Sequence, residues 1–272
     1  MEFEIKSSEK LDIGFKELWD YRELLYFFAW RDVKVKYKQT LLGFFWVIFQ
    51  PLFMTFIFTF FIGKMVSNFT NISIPYPLFA LSGMLLWGMF GGGMINATNS
   101  IVTNSSIIKK IYCPRLIIPI SAVLVSIIDF FVSLILLFGL IFYYHEPLTI
   151  KAFVFLPLSL ILTILTALGM GTFLSALNIK YRDVRYVIPF IIQALMFFTP
   201  VIYPVNISGN KIMFYLMKFN PMSGALELIR GIFLSYSIDY FTVFISFLIS
   251  VLIFILGLIY FKKTEQIFAD IV

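Results

Sequence analysis

Residues 39–63 read QTLLGFFWVIFQPLFMTFIFTFFIG, twenty-five consecutive positions without a charge. A helix crossing the roughly 30 Å hydrocarbon core of a bilayer needs about 20 apolar residues, so this stretch is long enough for one crossing. Five more follow. Residues 65–108, 152–179, 186–210 and 240–261 carry no charge, and 116–145 carry a single acid, Asp129. The long second stretch turns polar at its start, Ser67 to Pro77, and at its end, Asn96 to Ser106, which leaves room for one span. The expected fold is therefore all-α and polytopic, with six transmembrane helices near 41–63, 77–98, 117–143, 153–178, 186–204 and 240–261.

Composition agrees. Of 272 residues, 60% are hydrophobic and 13% charged, with a mean hydropathy of +0.94. Soluble domains average about 45–50% apolar and about 25% charged residues. A soluble enzyme is excluded as the main reading, and so is a nucleic-acid partner, despite the net charge of +6. Disorder is excluded as well, because it requires low hydrophobicity. One cysteine, Cys113, leaves no disulfide within the chain and no multi-cysteine metal site, and the single His145 leaves no histidine cluster. The first 40 residues show no short apolar core followed by a small-residue cleavage site, so the first span is expected to be retained.

Lysine and arginine decide the orientation. With both termini on one side, that side takes sixteen of the basic residues and the other takes five: Lys64, Lys151, Lys211, Lys218 and Arg230. Both ends are expected in the cytoplasm. Tyr76, Tyr143, Tyr144 and Tyr203 then fall at outer ends and Tyr37, Tyr112, Tyr181, Tyr186 and Tyr260 at inner ends, as interfacial belts require.

Outside the spans, residues 15–29 read as an amphipathic helix too short to cross and suited to the interface. Phe15, Leu18, Trp19, Leu25 and Tyr26 form its apolar side, and Lys16, Asp20 and Glu23 its polar side. Arg31, Lys34, Lys36 and Lys38 follow, with two readings: topology anchors touching lipid phosphate, or contacts for a ligand phosphate. Between the fifth and sixth stretches, Asn220 and Pro221 read as an N-cap and first helical position. They open a nearly apolar run to Leu234, with Glu227 and Arg230 three apart. Its length suits a re-entrant or interfacial hairpin rather than a seventh span. Within the whole, 1–40 form a cytoplasmic arm, 41–204 hold spans one to five, 205–239 the outer hairpin, 240–261 span six and 262–272 the tail, in one transmembrane domain.

Catalytic patterns are missing. Gly63-Lys64 is followed by Met65, so no phosphate-binding loop is formed there, and no paired-carboxylate or nucleophile motif occurs. Asp129 reads either as a functional intramembrane acid or as a structural one bonded to a neighbouring helix or protonated. Gly91-Gly92-Gly93 either loosens the second span or, through Gly88 and Gly92, marks a close helix contact. Phe45, Phe49, Phe53, Phe56 and Phe60 recur at four- and three-residue steps and share one helical face. That face is lipid-facing bulk or an aromatic wall along which sugar edges slide, with Gln50, Thr55, Thr59 and Gln193 to wet it.

Four segments carry a resemblance: Tyr37 to Gly43, Ile107 to Pro119, Asn178 to Arg185 continuing through Phe198 to Pro204, and Asn220 to Gly231. In this order they resemble the membrane subunits of type-2 ABC exporters, most closely the polysaccharide-export branch of Wzm-like O-antigen, capsule and teichoic-acid permeases. The resemblance implies a homodimer bound to two copies of a cytoplasmic ABC ATPase subunit, which would hold the ATP and Mg; this chain would hold no cofactor and no catalytic residue. It implies coupling to the ATPase through Phe15, Leu18, Trp19, Asp20 and Glu23, and through a short helix near 104–112 with Ile107, Ile108, Lys109, Lys110 and Tyr112. Phe45, Phe49, Gln50, Phe53, Phe56, Phe60, Gln193 and Phe197 would line the channel. Arg31, Lys34, Lys36, Lys38, Arg182 and Arg185 would meet the pyrophosphate end of a lipid-linked polysaccharide, and Asn220, Pro221, Glu227, Arg230 and Phe233 would belong to the outer gate. Its localisation would be the cytoplasmic (inner) membrane, among membrane lipids. Rival readings are an exporter of small lipids or drugs, a membrane-embedded glycosyl- or acyltransferase, and an ion-coupled carrier using Asp129.

Overall fold

Pro75 and Pro77 flank the first residue of the longest-buried helix, where a missing backbone N–H costs nothing because the first-turn donors have no intrahelical acceptor. Such local signals set the helices of the computed structural model, which describes residues 15–38, 43–64, 66, 74–110, 113–205 and 211–265. The helices are α1 (Phe15–Asp20), α2 (Arg22–Lys38), α3 (Gly43–Phe58), α4 (Tyr76–Thr103), α5 (Ser105–Ile108), α6 (Ile117–Tyr144), α7 (Ala152–Lys180), α8 (Val184–Phe198), α9 (Lys211–Lys218), α10 (Ser223–Arg230) and α11 (Tyr240–Glu265). A π-helical turn, Thr59–Gly63, extends α3. His145 adopts a left-handed conformation, φ 53°, and closes α6 by returning its N–H to the helix.

Among the described residues, five helices are long and apolar enough to cross a membrane: Phe45–Gly63, Tyr76–Thr103, Ile117–Tyr144, Ala152–Lys180 and Tyr240–Glu265. They coincide with the first, second, third, fourth and sixth expected spans. The stretch expected as span five, 186–204, differs. Its helix α8 has 15 residues, about 22 Å at about 1.5 Å each, and residues 199–205 fold back in turns. A further difference lies in the hairpin. Instead of a helix from Asn220 to Leu234, that stretch holds the shorter α10, which starts at Ser223 without a side-chain cap, and α9 precedes it at Lys211–Lys218. Asn220 accepts the Met222 amide at 2.9 Å in a turn preceding the helix, because Pro221 and Met222 take a turn conformation.

The hub is α4, which packs on α6, α7, α3, α8 and α10. Close approach uses small residues, as expected where lipid removes any hydrophobic drive between helices. A Cβ on Gly257 of α11 would stand 2.1 Å from the Gly169 carbonyl oxygen of α7, and one on Gly169 would stand 2.7 Å from the Phe254 backbone. The Thr166 and Ser250 hydroxyls meet at 2.9 Å beside this crossing. The expected contact through Gly88 and Gly92 is half used: a Cβ on Gly92 would stand 3.4 Å from the Ser126 hydroxyl of α6. Gly88 is exposed with nothing near it, whereas Gly91 abuts Ile192 of α8 and Gly93 abuts Val123 of α6 and Ala167 of α7. The three-glycine run is therefore a packing feature that meets three neighbouring helices, with Gly88 left out of it.

Two cores result. The larger surrounds α4 and extends to the hairpin end, where α10 sits. The smaller, at the opposite end, gathers Phe28 of α2 with Ile101, Leu116, Ile117, Ala176 and Phe261. The arm is thus packed onto the bundle by Phe28, which is 2% exposed, while Trp19 and Tyr26 of the expected apolar side stand 70% and 67% exposed.

Candidate functional site

Three regions gather the residues singled out by the sequence. The first is the outward face of α3. Between Phe45 and Gly63, only Thr55 and Gly63 are buried. Phe45 stacks on Phe49 at 5.2 Å, Phe49 on Phe53 at 5.4 Å, and Phe56 on Phe60 at 6.5 Å between ring centroids. The four-residue steps bring the rings into register, and together they form an aromatic ladder open to the outside of the subunit. Gln50 is exposed, but Thr55 is buried within the subunit and does not share the ladder's face. On α8, Ile188 and Ile192 turn inward, with Ile192 meeting α4 at Gly91, and Phe190, Gln193 and Phe197 turn outward at three- and four-residue spacing.

The second region joins arm to bundle. Lys36 Nζ lies 2.5 Å from Asp129 Oδ2, and the Tyr37 hydroxyl donates to the other carboxylate oxygen. Burial, and then that bond, raise the Tyr37 phenol well above its ordinary value. Asp129 is therefore bonded to a neighbouring helix. Arg31 is held by Asp32 at 2.6 Å and by the Asn104 side-chain oxygen at 2.7 Å, and its guanidinium lies over Phe28 at 5.0 Å. Of the four arm cations, Lys34 and Lys38 remain exposed without an assigned partner role, and Lys36 is committed to Asp129. Arg182 and Arg185 lie on a separate element, the turn before α8 and its start, and Arg185 stacks on Tyr186 at 4.5 Å.

The helix expected over 104–112 is the single turn α5, Ser105–Ile108. Ile107 and Ile108 pack against the Phe28 core, and Lys109 and Lys110 are exposed. Leu18 packs against the same core, while Trp19, Asp20 and Glu23 face outward. The Phe15 side chain and all of Tyr112 lie outside the described residues. Phe28 and Asn104 were missed by the sequence reading; no local pattern distinguishes Phe28 from the exposed Phe27 beside it.

The third region is the hairpin. Every residue of α10 is buried. Arg230 donates to the Val201 carbonyl at 2.7 Å and lies 3.5 Å from the centre of the Phe79 ring. Glu227 accepts from the Tyr236 hydroxyl at 3.1 Å and from the Asp239 amide at 3.3 Å. Asn220 donates to the Thr199 hydroxyl at 2.8 Å. Phe233 is buried where 147–149 and 232–234 pair through the Thr149 and Leu234 amides. By contrast α9 exposes Ile212, Tyr215 and Leu216, with Lys218 paired to Asp239 at 2.8 Å. Of the expected gate residues, Glu227, Arg230 and Phe233 are interior rather than surface groups.

A family model described as "ABC-2 type transporter" matches residues 23–234. The "O-antigen export system permease protein RfbA" of Klebsiella pneumoniae is 27% identical over 250 residues, covering 92% of this chain and 95% of that protein. A protein of the same name from Myxococcus xanthus is 27% identical over 220 residues, covering 80% of this chain and 83% of its own.

Proposed function

Because the chain belongs to the ABC-2 type transporter family, whose members are transport membrane subunits that work with an ABC ATPase, we propose that it is the channel-forming subunit of a polysaccharide exporter. The observation that carries this reading is likeness to O-antigen export permeases over nearly the whole of both chains. Two copies would form the path across the cytoplasmic membrane, with six spans each and both termini inside. The fifth crossing in chain order would be α8, completed by the turns after it. The substrate is a lipid-linked polysaccharide, with O-antigen preferred over capsule or teichoic acid.

The aromatic ladder of α3 and the outward face of α8 suit the channel wall. Aromatic faces receive the C–H edges of sugars without offering fixed hydrogen-bond partners, so a polymer passes without being held. Arg182 and Arg185, with Lys34 and Lys38, supply exposed positive charge for the pyrophosphate end. ATP closure on the partner reaches the bundle through α2 and α5, which share the Phe28 core.

The test is reconstitution of this chain in vesicles with and without its ATPase partner, measuring ATP-dependent passage of lipid-linked polymer. Export should require both proteins. Passage driven by this chain alone, or ATPase stimulation by small amphiphiles and not by glycan, would overturn the reading.

A further inference from the structure

Helix α8 ends at Phe198 after 15 residues, too few for the hydrocarbon core it must cross if the export reading holds. A helix ending there leaves its last carbonyls without intrahelical donors, in a layer where water is not at hand to satisfy them. The structure supplies side chains instead. Thr199 donates to the Leu195 carbonyl and Tyr203 to that of Phe197 in the last turn, and in the turns just past the helix Tyr76 donates to the Ile202 carbonyl and Arg230 to that of Val201. Arg230 alone among these carries a charge, and it holds the turn three residues past the end of the helix. It arrives from α10, fully buried, over the Phe79 ring. Gly83 of α4 makes the space: a Cβ there would stand 2.4 Å from the Val201 oxygen and 3.0 Å from the Arg230 Nη2.

We propose that Arg230 is a positioning residue that terminates the fifth span, tying the outer end of α8 to α10 so that the two move as one body. The hairpin helix is then an anchor for the channel wall rather than a swinging element. This rests on the six-span export reading, and the test separates the two.

On a Cys113→Ser background, Phe198→Cys is placed at the exposed end of α8 and, separately, Ile150→Cys on the outer loop that pairs with 232–234 on the α10 side and so does not depend on the tie to α8. Each is labelled with a membrane-impermeant maleimide in sealed cells and inverted vesicles. Arg230→Met should accelerate outside labelling at Phe198→Cys about tenfold, the effect of losing a charged hydrogen bond, and leave Ile150→Cys unchanged. Arg230→Lys, which keeps the charge and a donor, should restore most of the original rate. Should Arg230→Met fail to insert, Gly83→Ala displaces the same contact with the charge retained and should loosen the same site alone. An unchanged rate at Phe198→Cys, or equal acceleration at both positions, overturns the role of Arg230. Labelling of Phe198→Cys only from the cytoplasmic face would overturn the topology of the export reading instead.

Discussion

Lys36 and Asp129, 93 residues apart, form an ion pair at 2.5 Å that fixes the end of the arm helix to the middle of α6. One turn further along α6, Ser133 donates to the Val47 carbonyl at 3.0 Å, so α6 holds the arm's end and the start of α3 together. Under the export reading this is the route by which a displacement of α2 would reach the aromatic ladder.

Both partners are partly exposed, so the pair contributes modestly. A double-mutant cycle of Lys36→Met and Asp129→Asn in detergent should give a coupling of about 1 kcal/mol. Fully additive effects would show that the pair is not formed. In the export assay, Asp129→Asn should retain polymer passage at reduced coupling to ATP hydrolysis. Abolished passage together with dependence on a proton gradient would return Asp129 to the role of ion carrier.

The crossing of α7 and α11 depends on absent side chains. Gly257→Ala places a methyl 2.1 Å from a carbonyl oxygen and should cost about 3 kcal/mol or more, seen as a marked fall in thermal midpoint. Gly88→Ala enters open space and should be neutral, or stabilising by about 0.5–1 kcal/mol through helix propensity. Equal loss from both would contradict the assignment of the close contact to Gly257.

Aromatic residues on α3 and α4 should separate folding from transport. Phe53→Ala removes a ring 46% exposed and should shift unfolding by less than about 1 kcal/mol while lowering export. Phe90→Ala empties a site 2% exposed and should cost about 3–5 kcal/mol. Calorimetry of the purified subunit, beside the export assay, distinguishes them. A Phe53→Ala subunit that unfolds early would place the ladder in the subunit's own core.

At the hairpin end, burial raises the Asp239 carboxyl, but hydrogen bonds from Lys218 and Thr242 outweigh it and hold the group below the ordinary aspartate value. Its contribution to stability is therefore fully present above about pH 3.9 and fades as pH falls through the lower folded value. Asp239→Asn should remove that part of the acid-side decline and leave the neutral-pH profile flat. An acid limb unchanged by the substitution would assign it to other carboxylates.

Much of the architecture was legible because a membrane helix announces itself through a local sum. Five of the six uncharged stretches became long apolar helices, and the hairpin segment was recognisable as too short to span. Less of the candidate site could be read. The ladder's register followed from its spacing, yet Thr55 fell on the inward side, buried by the packing of α3 on its neighbouring helices. Arg230 was visible as an unusual charge in an apolar run, but its acceptor, Val201, lies 29 residues away on a turn that no pattern marks.

The sequence by itself determined what depends on each residue's own solvation: which stretches are apolar, where basic residues collect, and which positions share a helical face. Only the tertiary structure decided what depends on a neighbour's arrival. It chose Gly169 and Gly257 over Gly88 as the close contact, gave Asp129 its lysine, and ended the fifth helix early. A short helix end in an apolar layer is stable only where another segment brings donors to its carbonyls, and that meeting is a property of the fold rather than of either segment.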